Sequence, residues 1–400
     1  MSIVQLFVVA TLSLSLSLSL ASPAHAAAAS THSHVDLAAP VVRLSRRTAS
    51  NATDPAIFAG EARIAKIPRS RRHLDERATP GNPKGASFYS ALVAIGASYT
   101  DNAHARSDKH ASSLRQYYPY DEYDGKYTNG KVAVEYMVDP SISPSLKRQR
   151  GKHLVLQDFA YGGSVIQNSL AGTGSSSPAA VDQISTYLSE LESGSFDPGN
   201  GRVLHYFNSG INPVAQIWNN AMGSGFSASA KANAVSAISK NVAAYAESIQ
   251  SIARDKTARS KLAGIDFVLV GIPPLEIVPT FGWQVSSSVS KSDALDFLKQ
   301  LSQQFNSELE KFAKSLGTQN RRSRVFWYDL ADLWYSINAS PSSFGLSASP
   351  ITKACYNSST GGVCSDPGKY LYWDTLHPTT VVHKIMAQKI NALVLGMTRS

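Results

Sequence analysis

In Ala91-Leu-Val-Ala-Ile-Gly-Ala-Ser-Tyr-Thr-Asp101, five uncharged apolar residues run into a glycine and then a hydroxyl. A run this short, ended by Gly96, reads as a strand buried on both faces whose backbone must then turn sharply. Ser98 falls just past the strand's carboxyl end. Ligands bind at that edge in open α/β sheets, so a hydroxyl there is placed for nucleophilic attack. On this stretch alone the commoner reading is a loop serine that caps the next helix. It is not the G-x-S-x-G elbow, because Thr100 stands where the last glycine would fall.

Downstream the chain alternates strand-like and helix-like segments. His153 to Ala160, Arg202 to Phe207, Ile265 to Val270 and Arg324 to Leu330 read as further strands. Val181 to Leu191 reads as a short helix. Lys231 to Arg254 and Asp293 to Leu316 carry apolar residues at helical spacing, the second with Leu298, Leu301, Phe305, Leu309 and Phe312 on one face. Strands alternating with long helices predict parallel βαβ units: an α/β fold, a three-layer α/β/α sandwich on a central, mainly parallel five-stranded sheet, flavodoxin-like.

Near the carboxyl end stands Tyr372-Trp-Asp-Thr-Leu-His-Pro378, followed by an apolar-periodic helix from Val381 to Leu395. Pro378 suits that helix's first turn, which leaves Asp374 and His377 in the loop before it. A serine nucleophile needs a base, and the base needs an acceptor that fixes its tautomer. Alone, a D-x-x-H is more often a surface pair or a cap.

Taken together, these residues resemble the SGNH hydrolases, the GDSL esterase and lipase family. Gly96-Ala97-Ser98 matches the family's Gly-Asp-Ser, with Asp101 further on. Phe159-Ala-Tyr-Gly-Gly-Ser164 matches the second-strand glycine, Gly210-Ile211-Asn212-Pro213 the Gly-x-Asn-Asp, and Asp374 to Pro378 the Asp-x-x-His-Pro. The matches run in family order. Two positions depart: Ala97 and Pro213 replace aspartates that help order loops in the family and are neither nucleophile nor base.

The resemblance implies Ser98 as nucleophile, His377 as base and Asp374 as its orienting acceptor. The oxyanion would be held by the amides of Ser98 and Gly163 and by the side chain of Asn212, a donor worth roughly 3–4 kcal/mol in acyl transfer. No cofactor is required. Val270 to Pro279, with its Pro273-Pro274-Leu275, and the Trp373-Asp374-x-x-His-Pro ending most resemble fungal secreted esterases of carbohydrate esterase family 16, which remove acetyl groups from plant-wall oligosaccharides. A lipase or phospholipase is the alternative, opposed by the lack of a strongly apolar lid. A sugar-binding protein that kept the fold and lost efficient chemistry is a third, made credible by Ala97 and Pro213.

Met1 to Ala26 reads as a secretory signal ending at the small-x-small Ala24-His25-Ala26, although it carries no Lys or Arg. Its Leu-Ser pairs interrupt the apolar run, so stable membrane insertion is not expected. Residues 27–72 read as a basic propeptide or linker with possible cleavage sites at Arg46-Arg47 and Arg69 to Arg72. The hydrolase domain is expected over 85–397, in a secreted monomer acting on a small-molecule or oligosaccharide ester. Formal net charge is +9, but residues 1–72 hold eight basic against three acidic side chains, which leaves +4 for the remainder. With no basic stripe interleaved with aromatics, nucleic acid is not an expected partner.

In an oxidising compartment Cys355 and Cys364, the chain's two cysteines, read as a local disulfide that staples the loop before Asp374. Asn338 and Asn357 begin glycosylation sequons, as does Asn51 in the basic arm. Tyr117, Tyr118, Tyr120 and Tyr123 could wall the cleft and stack on sugar rings, or simply pack a surface loop. No metal site is expected: His104, His205 and His383 show no ligand spacing and read as structural.

Overall fold

The computed structural model describes residues 89–103, 126–142, 154–171, 177–320, 322–347 and 351–396. The basic arm, the signal-like segment, the tyrosine-rich loop, His104 and the Asn51 sequon lie outside the described residues.

Five strands build the central sheet: β1 (Tyr89–Gly96), β2 (Val155–Asp158), β3 (Arg202–Asn208), β4 (Ile265–Val270) and β5 (Val325–Tyr328). Their spatial order is β2-β1-β3-β4-β5 and every pair is parallel. Ala91 to Ile95 and Phe267 to Val270 are wholly buried, as charge-free runs in a sheet covered on both faces should be. From β1 the chain moves to one side for β2 and then returns to the other side for β3, which creates a topological switch point between β1 and β3. Gly96 pairs with Asn208, so the loops after these two strands leave the sheet side by side.

Nine α-helices among the described residues complete the layers: α1 (Ala133–Val138), α2 (Ala180–Ser193), α3 (Ile211–Gly223), α4 (Ala228–Arg254), α5 (Lys256–Lys261), α6 (Pro279–Gln284), α7 (Lys291–Gln319), α8 (Leu330–Ala339) and α9 (Thr380–Val394). Helices α2, α3, α4 and α7 pack on one another on one face, whereas α1 and α9 pair and contact β-strands on the other. The long helices start at serine caps: Ser227 Oγ accepts from the Ala230 amide and Ser290 Oγ from that of Asp293.

Two local expectations need correction. The fifth strand stops at Tyr328 rather than Leu330, because the Asp329 side chain accepts from the Asp332 amide and caps α8. Pro378 lies ahead of the α9 cap, Thr379, and not in the helix's first turn. Asn212 and Pro213 stand in the opening turn of α3, whose cap is Gly210. Pro213 there occupies a position whose N–H has no intrahelical partner in any helix, so the proline removes no ladder bond.

The end of the sheet opposite the switch point is fastened by one carboxylate. Asp266 is fully buried and accepts from Tyr89 Oη (2.9 Å), Arg202 Nε (2.7 Å), Arg202 Nη2 and Arg324 Nε (2.8 Å). Burial alone would raise its pKa, but the Arg202 and Arg324 guanidiniums outweigh this and hold it below the usual range.

Candidate active site

After β1 the Ala97 carbonyl accepts from the amides of both Thr100 and Asp101 (2.9 Å each), winding Ser98 and Tyr99 into one tight turn. Asp374 and His377 come from the other end of the chain. Asp374 Oδ1 accepts from the amides of Leu376 (2.8 Å) and His377 (2.7 Å), which folds 374–377 into a compact hook. Its second oxygen lies 2.7 Å from His377 Nδ1, and His377 Nε2 lies 2.8 Å from Ser98 Oγ. A carboxylate can only accept, so Nδ1 carries the proton and Nε2 is left to accept from the serine hydroxyl. The structure thus brings together three residues separated by up to 279 positions in the geometry of a nucleophile, a base and an orienting acid.

Several elements brace the hook. Its Leu376 carbonyl accepts from Tyr99 Oη (2.7 Å) and its Thr375 carbonyl from the Thr280 amide at the start of α6 (3.0 Å). Burial pushes the Tyr99 phenol well above its ordinary pKa, so it stays a donor. A disulfide joins Cys355 to Cys364 across a small hairpin, β6 (Tyr356–Asn357) and β7 (Gly362–Val363). From that hairpin the amides of Cys355 and Tyr356 donate to the carbonyls of Tyr372 (3.1 Å) and Trp373 (2.6 Å), immediately before Asp374.

Gly163 lies in the loop after β2 and Asn212 in the first turn of α3, just after β3. Gly163 has φ +75°, a left-handed conformation suited to glycine. Asn212 Nδ2 donates one hydrogen to the Ser164 carbonyl (2.8 Å), which ties the two segments together. Asp101 Oδ2 accepts from the Gly162 amide (2.7 Å) and Asp158 Oδ2 from the Asn102 amide (3.0 Å), tying the first loop to the second.

Two residues at the site escaped the sequence reading. Gln183 of α2 is buried and pairs both ways with the Gly96 peptide, its Oε1 accepting from N and its Nε2 donating to O, each at 3.0 Å; Nε2 also reaches Ser164 Oγ. Tyr127 lays its ring 4.9 Å from the His377 ring, at an interplanar angle of 31°. Neither stands in a motif, so only the folded chain reveals them.

Of the histidines read as structural, His205 and His383 are buried and take no part in the hydrogen bonds that join Ser98, His377 and Asp374. His205 is buried, with Nδ1 donating to the Asp266 carbonyl (3.0 Å) and Nε2 beside Tyr187 Oη (2.9 Å). Burial lowers its pKa to about 4 and that of His383 to about 3. Asn357 is exposed, whereas Asn338 is partly buried and donates to the Trp334 carbonyl within α8. No group of three His, Cys, Asp or Glu among the described residues could hold a metal ion. Nor is any described helix long and apolar enough to cross a membrane.

Several known proteins resemble this chain in sequence. A GDSL esterase/lipase of Arabidopsis thaliana is 24% identical over 289 residues, covering 66% of this chain and 76% of that one. GDSL esterase/lipase 7 of the same plant is 30% identical over 129 residues; there the match spans 30% of this chain and only 35% of the relative's length. Among solved structures, phospholipase A1 from Streptomyces albidoflavus aligns over 78% of this chain and all of its own, at 15% identity and a TM-score of 0.36. The family model for GDSL-like lipase/acylhydrolase matches residues 92–390, from β1 into α9. The chain therefore belongs to the GDSL-like lipase/acylhydrolase family and is a carboxylic ester hydrolase.

Proposed function

We propose that the protein is a secreted serine esterase that removes short acyl groups, acetyl in particular, from plant-wall carbohydrates. The observation that carries the serine mechanism is the unbroken chain from Ser98 Oγ through His377 to Asp374, at 2.8 and 2.7 Å. His377 Nε2 takes the serine proton as Oγ attacks the ester carbonyl, and returns it to the departing alcohol. Water then attacks the acyl-serine with His377 again as base. The amides of Ser98 and Gly163 and the second hydrogen of Asn212 Nδ2 would hold the oxyanion of both tetrahedral intermediates.

The carbohydrate reading is supported by the Pro273-Pro274-Leu275 and Trp373 to Pro378 resemblance. Export, with loss of residues 1–26 and trimming within 27–72, is supported by the signal-like pattern and by a disulfide of the kind oxidising compartments sustain. Action as a monomer without cofactor completes the proposal. A lipase is the second reading, favoured by Trp283: it is 71% exposed on α6, the helix bonded to the catalytic hook through Thr280, and offers apolar surface to a longer chain.

Hydrolysis of p-nitrophenyl acetate and palmitate by the wild type and Ser98→Ala tests these readings. Acetate turnover that vanishes in the variant supports the short-acyl serine esterase. Preference for palmitate moves the assignment to a lipase, and no turnover above the variant on either ester, with glycan binding retained, would leave a binding protein.

A further inference from the structure

The segment before α1 is clamped over the catalytic histidine. Thr128 Oγ1 donates to the carbonyl of Pro378, the residue after His377 (2.8 Å), and Asn129 Oδ1 accepts from the Thr380 amide (2.8 Å). Thr380 Oγ1 in turn donates to the Lys131 carbonyl (2.9 Å), and Lys126 is paired with Glu135 of α1 at 3.0 Å. Tyr127 lies inside this clamp. On one side its ring meets the His377 ring; on another it rests so closely on Gly162 that a Cβ there would fall 2.2 Å from its Cε2 and Oη. The ring is thus fixed by contacts at both ends of its segment and by the absence of a side chain beneath it.

We propose that the face of Tyr127 is an electrostatic partner of His377, stabilising the imidazolium that forms when the base takes the serine proton. The inference rests on the reading of His377 as that base. A cation within about 6 Å of an aromatic centroid is drawn to the ring's negative face, and the attraction grows when water is excluded. His377 is 8% exposed, so little solvent competes. Neutral imidazole gains much less from the same ring. The contact therefore favours the transition state over the ground state and acts on turnover rather than on substrate affinity. Tyr99, whose ring is 5.9 Å from His377 and tilted by 56°, offers a poorer face and spends its hydroxyl on the hook.

The test compares Tyr127→Phe, Tyr127→Leu and a shape-preserving series in which position 127 carries phenylalanine with increasing ring fluorination, which weakens the negative face. Ser98→Ala is run beside them; if it matches the wild type, the serine reading itself has failed, independently of Tyr127. With that reading intact, Tyr127→Phe should stay within about two-fold of wild type, and Tyr127→Leu should lose about five- to thirty-fold in kcat with KM little changed. Log kcat should fall steadily with fluorination, a readout that survives if the leucine variant fails to fold. A flat fluorination series overturns the proposal. So does a phenylalanine variant as poor as the leucine variant, or a loss carried by KM, which would make Tyr127 a substrate wall.

Discussion

Asp374→Asn separates the two jobs of the catalytic hook. In the native structure Oδ1 holds the amides of Leu376 and His377, and Oδ2 faces His377 Nδ1 at 2.7 Å. Asparagine can keep its oxygen on the two amides, but its NH₂ then replaces Oδ2 and donates to Nδ1. The imidazole proton must move to Nε2, directly opposite Ser98 Oγ, and the base is blocked by its own hydrogen. Loss of the correct tautomer costs serine hydrolases about 10⁴-fold in kcat, or about 5.5 kcal/mol of transition-state stabilisation. The hook itself survives, so thermal stability should change by no more than about 1 kcal/mol. Asp374→Ala serves as the counterpart: it strands the Leu376 and His377 amides at about 1–3 kcal/mol each and should be clearly less stable. Steady-state p-nitrophenyl acetate kinetics and urea unfolding on both variants give the answer. An asparagine variant that retains a tenth of wild-type kcat, or an alanine variant as stable as it, would refute the assignment of roles.

Two further predictions concern the scaffold. His205 and His383 are held neutral by burial, with pKa values of about 4 and about 3, whereas the unfolded chain binds their protons near 6.5. The unfolded state therefore gains protons first, and stability present above pH 6.5 is lost as pH falls toward 4, by on the order of 3 kcal/mol for His205. Urea midpoints at pH 7.5 and 4.5 should converge in His205→Gln relative to wild type; parallel shifts would contradict this. Gln183→Leu should strand the buried Gly96 amide, costing about 1–3 kcal/mol, and leave the Gly96 carbonyl with the longer bond from the Tyr161 amide (3.4 Å). Calorimetry showing an unchanged melting temperature would mean that this amide pair contributes nothing.

Much of the fold was legible because its determinants are local. The charge-free run at Ala91 to Ile95 and the spacing along α4 and α7 carry their own burial pattern. The proposed triad was legible only as order along the chain, since Ser98 and His377 stand 279 positions apart and meet only in the folded chain. Other features depend on competition between local preferences. Arg324 to Leu330 reads as one strand until the Asp329 cap diverts the chain into α8, and Pro378, suited to a helix's first turn, lies one residue ahead of the Thr379 cap. Gln183 and Tyr127 gave no signal because a single glutamine on a helix and a single tyrosine before one acquire meaning only from the peptide or ring they meet.

The two departures from the family pattern look different once the loops are seen together. Without a carboxylate at Ala97, the loop carrying the nucleophile needs another tie to the loop after β2. Asp101 supplies it: the turn that wraps Ser98 returns the chain after three residues, and Asp101 Oδ2 then accepts from Gly162, beside Gly163, at 2.7 Å. At the third loop the replacement is steric rather than ionic. Pro213 restricts the backbone of α3's first turn, while the neighbouring Asn212 is held by its own bond to Ser164. Ser164 is also gripped by Gln183, which holds Gly96, so the loops after β1, β2 and β3 are linked through Gly96, Gln183, Ser164 and Asn212. Loop order is thus maintained by groups one to four residues from the positions where the family keeps its aspartates, and the departures give no structural ground for expecting a dead enzyme.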